Sequence, residues 1–177
     1  MISDPLLHRM KILVVDDDRM TVTLLEQLLQ RSGYCRVLGI TDSRNTLDTC
    51  ANFDPDLILL DLMMPEVDGF ALLEALRSDA PETFLPIVVL TADITEEAKA
   101  RALDAGATDF LVKPVSQTEA LLRIRNLLET RRLHLVLENQ RAALEEAVRE
   151  RTAELRGTIA ELQAVNQHSQ TSSALSL

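Results

Sequence analysis

Short apolar runs recur five times within about 120 residues, and stretches with the apolar spacing of a helix separate them. The predicted strands are Lys11–Val15, Val37–Ile40, Leu57–Leu60, Pro86–Leu90 and Asp109–Val112. The predicted helices between them are Arg19–Arg31, Ser43–Asn52, Phe70–Asp79 and Thr95–Ala105. This alternation favours an α/β fold with a five-stranded, parallel, doubly wound sheet and helices on both faces.

The helices carry three local predictions. Asp18 is expected to cap the N-terminus of the first helix, and Ser43 that of the second. The helical spacing of the first helix is expected to put five apolar residues on one face: Met20, Leu24, Leu25, Leu28 and Leu29.

Four of the apolar runs end in polar residues. Asp16 and Asp17 follow the first run, Asp61 the third, Thr91 the fourth and Lys113 the fifth. Parallel strands bring their C-terminal ends to one edge of the sheet, so these groups are expected to converge. Carboxylates that converge repel one another unless a cation joins them, and their hard oxygen atoms suit Mg²⁺. No His or Cys lies near these positions, which disfavours zinc.

This set of groups suits phosphoryl transfer. A carboxylate such as that of Asp61 can attack a phosphoryl group when cations neutralise the charge that develops. Mg²⁺ and Lys113 would supply that neutralisation, and Thr91 could donate a hydrogen bond to a phosphate oxygen. Each residue alone has an ordinary alternative, such as a helix-capping Asp or a solvated Lys, and the expected convergence is what argues for a site.

Composition excludes several classes of partner. The formal net charge of −10 argues against direct contact with nucleic acid, and an aromatic content of 3% argues against base stacking. No apolar run reaches the roughly 18 residues of a membrane span, so we expect no membrane insertion. Met1–Met10 lacks the apolar core of a signal peptide. Cys35 and Cys50 have no metal-binding spacing, which favours reduced thiols in a cytoplasmic protein.

The segment after Ser116 has a different pattern. It contains no Pro, and its only Gly is Gly157. From His134 onward, ten positions alternate in steps of three and four, and six of them are apolar: Leu137, Leu144, Val148, Leu155, Leu162 and Val165. Arg141, Arg151 and Thr158 occupy other positions of this seam. The spacing predicts that the last helix extends into a coiled coil.

We therefore divide the chain into four parts. Residues 1–9 form an N-terminal lead, residues 10–128 the globular domain, and residues 129–167 a coiled-coil stalk. The Ser-rich residues 168–177 are predicted to be a disordered tail.

Five motifs resemble those of two-component response-regulator receiver domains, over roughly residues 10–128. They are Val15-Asp16-Asp17, Leu60-Asp61-Leu62-Met63-Met64-Pro65, Asp68-Gly69, Thr91-Ala92 and Lys113-Pro114. The resemblance implies the flavodoxin-like receiver fold, with Asp61 as the phosphoacceptor. It further implies that Asp17, Asp61 and the backbone carbonyl of Met63 bind Mg²⁺ directly, and that Asp16 does so through water.

The same resemblance assigns the remaining site residues. Thr91 and Lys113 would hold the phosphoryl group, and Phe110 would be the aromatic residue that switches together with Thr91. Phosphorylation of Asp61 would then change the face that carries Thr91 and Phe110 and, with it, the C-terminal coiled coil. The Lys113-Pro114 peptide bond is expected to be cis.

The resemblance also implies partners. A histidine kinase or a phosphotransfer protein would supply the phosphoryl group, and the receiver would catalyse only its own phosphorylation and dephosphorylation. Asn126–Arg131 and Val148–Leu155 resemble the linker of receivers fused to HD-GYP cyclic-di-GMP phosphodiesterases, and similar linkers precede some histidine-kinase and diguanylate-cyclase modules. We expect a parallel homodimer through the C-terminal coiled coil.

Two other functions remain open at this point. An Mg²⁺-dependent aspartyl-phosphate phosphohydrolase would need an acid/base Asp two residues after its nucleophile, and Met63 stands there. A nucleotide- or flavin-binding domain would need a Gly-rich first loop, whereas this loop is Asp16-Asp17-Asp18.

Overall fold

The five predicted strands form one sheet in the computed structural model, which describes residues 5–79, 84–93 and 95–174, with the backbone alone at 79 and 170–174. The strands are β1 (Lys11–Val15), β2 (Arg36–Ile40), β3 (Leu57–Asp61), β4 (Ile87–Thr91) and β5 (Asp109–Val112). Their spatial order is β2-β1-β3-β4-β5, and every neighbouring pair is parallel. The predicted parallel α/β fold is confirmed.

The centre of the sheet forms the core. All residues of β3 and β4 are buried, as are Ile12–Val15 of β1. Runs of Val, Ile and Leu suit strands that are covered on both faces. The strand order reverses direction between β1 and β3, and ligands bind beyond the C-terminal ends of strands at such a switch point.

Four helices connect the strands: α1 (Arg19–Arg31), α2 (Thr46–Phe53), α3 (Gly69–Asp79) and α4 (Glu96–Asp104). Asp18 caps α1 as predicted, because its carboxylate accepts hydrogen bonds from the backbone N–H groups of Met20 and Thr21. The prediction for Ser43 was wrong. Asp42 accepts from the N–H of Arg44 and begins a 3-10 helix, Ser43–Asn45, ahead of α2. The carboxylate one residue earlier is the capping acceptor, and Ser43 is buried.

The predicted apolar face of α1 was only partly right. The buried stripe consists of Val22, Leu25 and Leu29. Met20 and Leu24 are 70% and 60% exposed, and Leu28 is half-buried. At 100° per residue, positions 20, 24 and 28 form a second stripe on the other side of the helix. The helix thus has one apolar stripe in the core and another at the surface.

The last helix, α5 (Gln117–Ala174), is continuous, so the predicted extension is confirmed. It passes residue 167, where the stalk was predicted to end, and no Pro or Gly follows Gly157 to stop it. The rest of the predicted disordered tail, residues 175–177, lies outside the described residues.

The chain divides into two compact units, Met1–His134 and Leu135–Leu177. Within the first, Ala120, Ile124 and Leu128 of α5 are fully buried. Within the second, the six apolar seam residues are all more than half exposed. The first unit passes residue 128, the predicted end of the globular domain, and our four-part division stays a prediction. No helix in the described part of the chain is both long and apolar enough to cross a membrane.

Candidate functional site

Three carboxylates meet at the C-terminal edge of the sheet. Asp16 directly follows β1 and is fully buried, Asp61 ends β3 with 3% of its surface exposed, and Asp17 is exposed. The register of β1 against β3 pairs Val15 with Leu60, which brings Asp16 beside Asp61. Each of the three residues offers a carboxylate oxygen within 4.8 Å of the others. The structure therefore brings together the three acids that the sequence predicted to converge.

Lys113 supplies the cation of the site. Its Nζ donates a hydrogen bond to Asp16 Oδ2 at 2.7 Å and lies 3.2 Å from Asp61 Oδ2. The pairing of Thr91 with Val112 brings Lys113 to this edge, just beyond β5. The Lys113-Pro114 bond is cis, as expected. Lys113 lies between two carboxylates, and its shorter contact is with Asp16.

Burial and the neighbouring charges shift the pKa of Asp16, and likewise that of Lys113, in opposite directions. Burial raises the pKa of the Asp16 carboxyl above its ordinary value, although the Lys113 ammonium and the N–H of Asp18 oppose this. Burial alone would lower the pKa of Lys113, but Asp16 and Asp61 together raise it. The ammonium therefore stays charged, and it is one cation beside two buried carboxyl groups.

Backbone donors fix the direction of two carboxylates. Asp16 Oδ1 accepts from the N–H of Asp18 at 2.9 Å, and Asp61 Oδ1 accepts from the N–H of Met63 at 3.2 Å. The Met63 side chain is 72% exposed. The three side chains offer only oxygen ligands, which fits Mg²⁺ and gives zinc none of the ligands that it prefers.

The two predicted switch residues lie on neighbouring strands. Thr91 is the last residue of β4 and is 8% exposed, and its Oγ1 accepts from the N–H of Asp93 at 3.0 Å. Phe110 in β5 is half-buried. Two cations lie near its ring, Lys99 Nζ at 5.3 Å and Arg123 Cζ at 5.8 Å from the centroid. These distances suit weak cation–π contacts.

A surface groove adjoins the site, and our sequence reasoning did not predict it. It runs between α1 and the segment after β5, and its lining includes Leu24, Leu28, Lys113, Pro114 and Val115. Separating the 20-24-28 stripe of α1 from the 22-25-29 stripe would have indicated an apolar surface here.

Comparisons with known proteins agree with this fold. The family model described as "Response regulator receiver domain" matches residues 12–125. Response regulator MprA of Mycolicibacterium vanbaalenii is 44% identical over 118 residues, which cover 67% of this chain and 50% of that protein. The alkaline phosphatase synthesis transcriptional regulatory protein PhoP of Bacillus subtilis is 41% identical, with coverage of 67% and 48%. The chain thus spans about half the length of these curated relatives.

Solved structures show the same likeness. The chemotaxis protein CheY4 of Vibrio cholerae superposes with a TM-score of 0.63 at 31% identity, covering 67% of this chain and 98% of that one. The receiver domain of the Francisella response regulator 1452 gives a TM-score of 0.64 at 30% identity, with coverage of 69% and 98%. With the receiver-domain model matching well over half of its residues, the chain belongs to the response regulator receiver domain family.

Proposed function

We propose that Asp61 is the phosphoacceptor of this receiver and that it takes its phosphoryl group from a phosphohistidine. The main support is the position of Asp61. It is nearly buried, its Oδ2 lies 3.2 Å from Lys113 Nζ, and two further carboxylates lie within reach of one metal ion. Such a carboxylate is oriented as a nucleophile and surrounded by groups that can neutralise charge.

The chemical step exchanges one bond for another. An oxygen of Asp61 forms a bond to phosphorus while the P–N bond to the donor histidine breaks, and the imidazole nitrogen retains the electron pair. Asp17, Asp61 and the backbone carbonyl of Met63 would hold Mg²⁺ directly and Asp16 through water, and the bound ion would supply charge neutralisation at the transferring group. Lys113 pairs with the phosphoryl oxygen atoms, and Thr91 turns its hydroxyl toward them.

Phosphorylation by acetyl phosphate tests this assignment directly. With Mg²⁺, the full chain should gain the mass of one phosphoryl group, and Asp61→Asn should gain none because an amide is not an effective nucleophile. Asp68→Asn is a matched control in the loop that follows β3, where Asp68 caps α3 through the N–H of Phe70. The assignment fails if Asp61→Asn is still phosphorylated to full extent, or if Asp68→Asn loses phosphorylation instead.

We propose that the phosphodonor protein docks on the groove between α1 and the Lys113–Val115 segment. The groove shares Lys113 with the site, so a protein seated on it can present a histidine to Asp61. The exposed Leu24 offers apolar contact there. Leu24→Glu should slow phosphotransfer from histidine kinases tested as a panel, yet leave phosphorylation by acetyl phosphate unchanged. Leu103→Glu changes an exposed leucine on α4 and is the control. The docking face is refuted if Leu24→Glu slows phosphorylation by the kinases and by acetyl phosphate to the same extent.

We propose that the second unit makes the protein a parallel homodimer. Its six apolar seam residues are all exposed, and a long helix with an exposed apolar stripe buries that stripe when it associates with a second helix. Parallel pairing leaves both receivers at the same end, so that both can act on a partner bound at the other end of the stalk. Light scattering should give a dimer for the full chain and a monomer for Leu155→Glu. A monomeric wild type would refute the proposal.

A phosphohydrolase remains the second candidate, and the side chain at position 63 argues against it. An exposed methionine there provides no general acid or base. We propose that this receiver catalyses only its own phosphorylation and dephosphorylation.

A further inference from the structure

Arg131 is a buried charge at the edge of the sheet opposite the acidic site. The fully buried residues of α5 recur as Ala120, Ile124 and Leu128, and the next residue on that face is Arg131, with 6% of its surface exposed. Burying a guanidinium is costly unless hydrogen bonds and an opposite charge compensate for it. The contacts of Arg131 therefore have to offset the free-energy cost of burying its charge.

Those contacts reach two different parts of the receiver. Nη1 of Arg131 donates a hydrogen bond to the backbone carbonyl of Phe84 at 2.9 Å, and its Nε lies 3.8 Å from Asp56 Oδ1. One turn further along α5, the His134 ring stacks on the Phe84 ring with 4.6 Å between centroids. Phe84 precedes β4 and Asp56 precedes β3, so α5 is attached to the starting ends of two central strands.

Asp56 is itself held firmly. Its Oδ2 accepts from the N–H of Lys11 at 2.8 Å, and its own N–H donates to the carbonyl of Lys11 at 2.7 Å. Lys11 is the first residue of β1. Arg131 Nε therefore forms a long ion pair, without a hydrogen bond, with a carboxylate that is already bonded to the beginning of β1. These strands run from here to the acidic site, since β1 leads to Asp16 and β3 ends in Asp61.

The other end of the receiver part of α5 is attached near the switch residue. Arg123 Nη1 donates to both carboxylate oxygens of Asp109 at 2.7 Å, and Asp109 is the neighbour of Phe110. Arg123 also lies near the Phe110 ring. The helix thus has one attachment where a switch is expected and a second, at Arg131, on the opposite edge.

We propose that Arg131 is a positioning residue that holds α5 against the sheet edge opposite the acidic site. A conformational change at Phe110 and Arg123 then tilts α5 about Arg131, and this tilt is transmitted to the stalk. This inference rests on the proposed function, the phosphorylation of Asp61, and on the expectation that phosphorylation changes the stalk. If the contacts of Arg131 with Phe84 and Asp56 are removed, residues 128–134 become more mobile. The tilt of α5 is then absorbed in that segment and does not reach the stalk. A merely stabilising arginine would affect unfolding and leave transmission intact.

The test uses the full chain with a reporter in the stalk. Leu155→Cys is combined with Cys35→Ala and Cys50→Ala, since neither native cysteine is in a disulfide and both could react in the cross-linking. Arg131→Met, Arg131→Lys and Asp56→Asn are made in this background. Arg125→Met is the matched control, because Arg125 is an exposed arginine of the same helix whose ion pair with Glu129 spans 4.0 Å. Each protein is measured with and without acetyl phosphate and Mg²⁺.

Three readouts separate the possible roles of Arg131. Intact mass reports phosphorylation of Asp61, which should stay at the wild-type level in every variant. Hydrogen exchange reports how tightly α5 is held at Arg131, and amides 128–134 should exchange about tenfold faster in Arg131→Met than in wild type. Oxidative cross-linking at position 155 reports transmission, and its dependence on phosphorylation should fall to less than about half of the wild-type effect. Asp56→Asn should change hydrogen exchange and cross-linking in the same directions but by less. Arg125→Met should match wild type in both.

Two results would overturn the inference: unchanged exchange at 128–134 in Arg131→Met, or a cross-linking response of wild-type size despite faster exchange. If Arg131→Met does not fold, Arg131→Lys and Asp56→Asn decide by the same two criteria, because an asparagine at 56 can still accept from the N–H of Lys11. A wild type whose cross-linking ignores phosphorylation refutes the proposed stalk response and, with it, the transmitting role. In that case hydrogen exchange still tests whether Arg131 holds α5 against the sheet.

Discussion

Replacing Lys113 by methionine tests how the charges of the site are balanced. The change keeps an unbranched chain and removes the ammonium that lies 2.7 Å from Asp16 Oδ2 and 3.2 Å from Asp61 Oδ2. The variant retains three carboxylates with oxygens within 4.8 Å of one another, two of them buried. We therefore expect the metal-free variant to be less stable than wild type and to gain more from Mg²⁺.

The loss of stability follows from the burial of the ion pair. Removing one partner of a buried pair costs about 3–5 kcal/mol, and access of water reduces that cost. The Lys113 side chain is 25% exposed, so we expect about 2–3 kcal/mol. For a domain of this size, the loss corresponds to a Tm lower by about 8–12 °C.

The gain from Mg²⁺ follows from the same missing charge. A neighbouring cation opposes binding of a divalent ion, and its removal should strengthen binding by about 1.4 kcal/mol, or tenfold, after allowance for solvent screening. If the wild-type Kd is on the order of 1 mM, about 10 mM Mg²⁺ stabilises wild type by about 1.4 kcal/mol and the variant by about 2.7 kcal/mol. Mg²⁺ should then recover about half of the lost stability.

Thermal unfolding with and without Mg²⁺, together with calorimetric titration, measures both effects. Lys99→Met is the control, since Lys99 forms its ion pair with the exposed Glu96 on α4 and not with one of the three carboxylates. We expect it to change neither the Mg²⁺ affinity nor the response of Tm to Mg²⁺. The reasoning is refuted if Lys113→Met binds Mg²⁺ no more tightly than wild type, or if Mg²⁺ raises both Tm values equally.

Three further changes have simple expected outcomes. Asp17→Ala should weaken Mg²⁺ binding at least about tenfold by titration and leave Tm nearly unchanged, because Asp17 is an exposed member of the carboxylate cluster; an unchanged affinity would remove it from the ligands. Gly69→Ala would place a Cβ 2.5 Å from Leu62 Cα, so we expect a loss of about 1–3 kcal/mol in denaturant unfolding, and a neutral effect would contradict that crowding. Gly157→Ala meets no atom within 4 Å and should stabilise the stalk helix by about 0.5–1 kcal/mol, measured by circular dichroism on heating; destabilisation would show that Gly157 has a partner.

The site could be predicted from the sequence because strand topology determines it. Once Asp16 and Asp61 are recognised as ends of neighbouring parallel strands, the sheet brings them together whatever the details of the helices. Lys113 follows from the same logic, since it comes directly after β5. Its closer pairing with Asp16 depends on side-chain reach, which strand order does not determine.

Features that depend on packing could not be predicted in this way. Helical spacing alone does not reveal which of two apolar stripes on α1 faces the sheet. Met20 and Leu24 were therefore placed on one face with the buried Leu25 and Leu29, although both are exposed. Arg131 gave no signal either, because an arginine late in a polar helix is usually solvated. Its burial depends on Asp56 and Phe84, which are distant in sequence and become its neighbours only in the folded receiver.

Arg151→Leu tests which face of the stalk pairs. Arg151 occupies a predicted seam position, where a parallel dimer would place it opposite its own copy, and its ion pair with Glu154 is intrahelical and exposed. A leucine there would extend the apolar seam and remove that repulsion, so the dimer dissociation constant should fall at least about tenfold in sedimentation equilibrium. Arg149→Leu is the matched control, because Arg149 lies outside the seam and pairs with Glu146 at 2.8 Å. If Arg149→Leu tightens the dimer as much as Arg151→Leu does, the helices pair through another face, and the 134–165 seam is not the dimer interface.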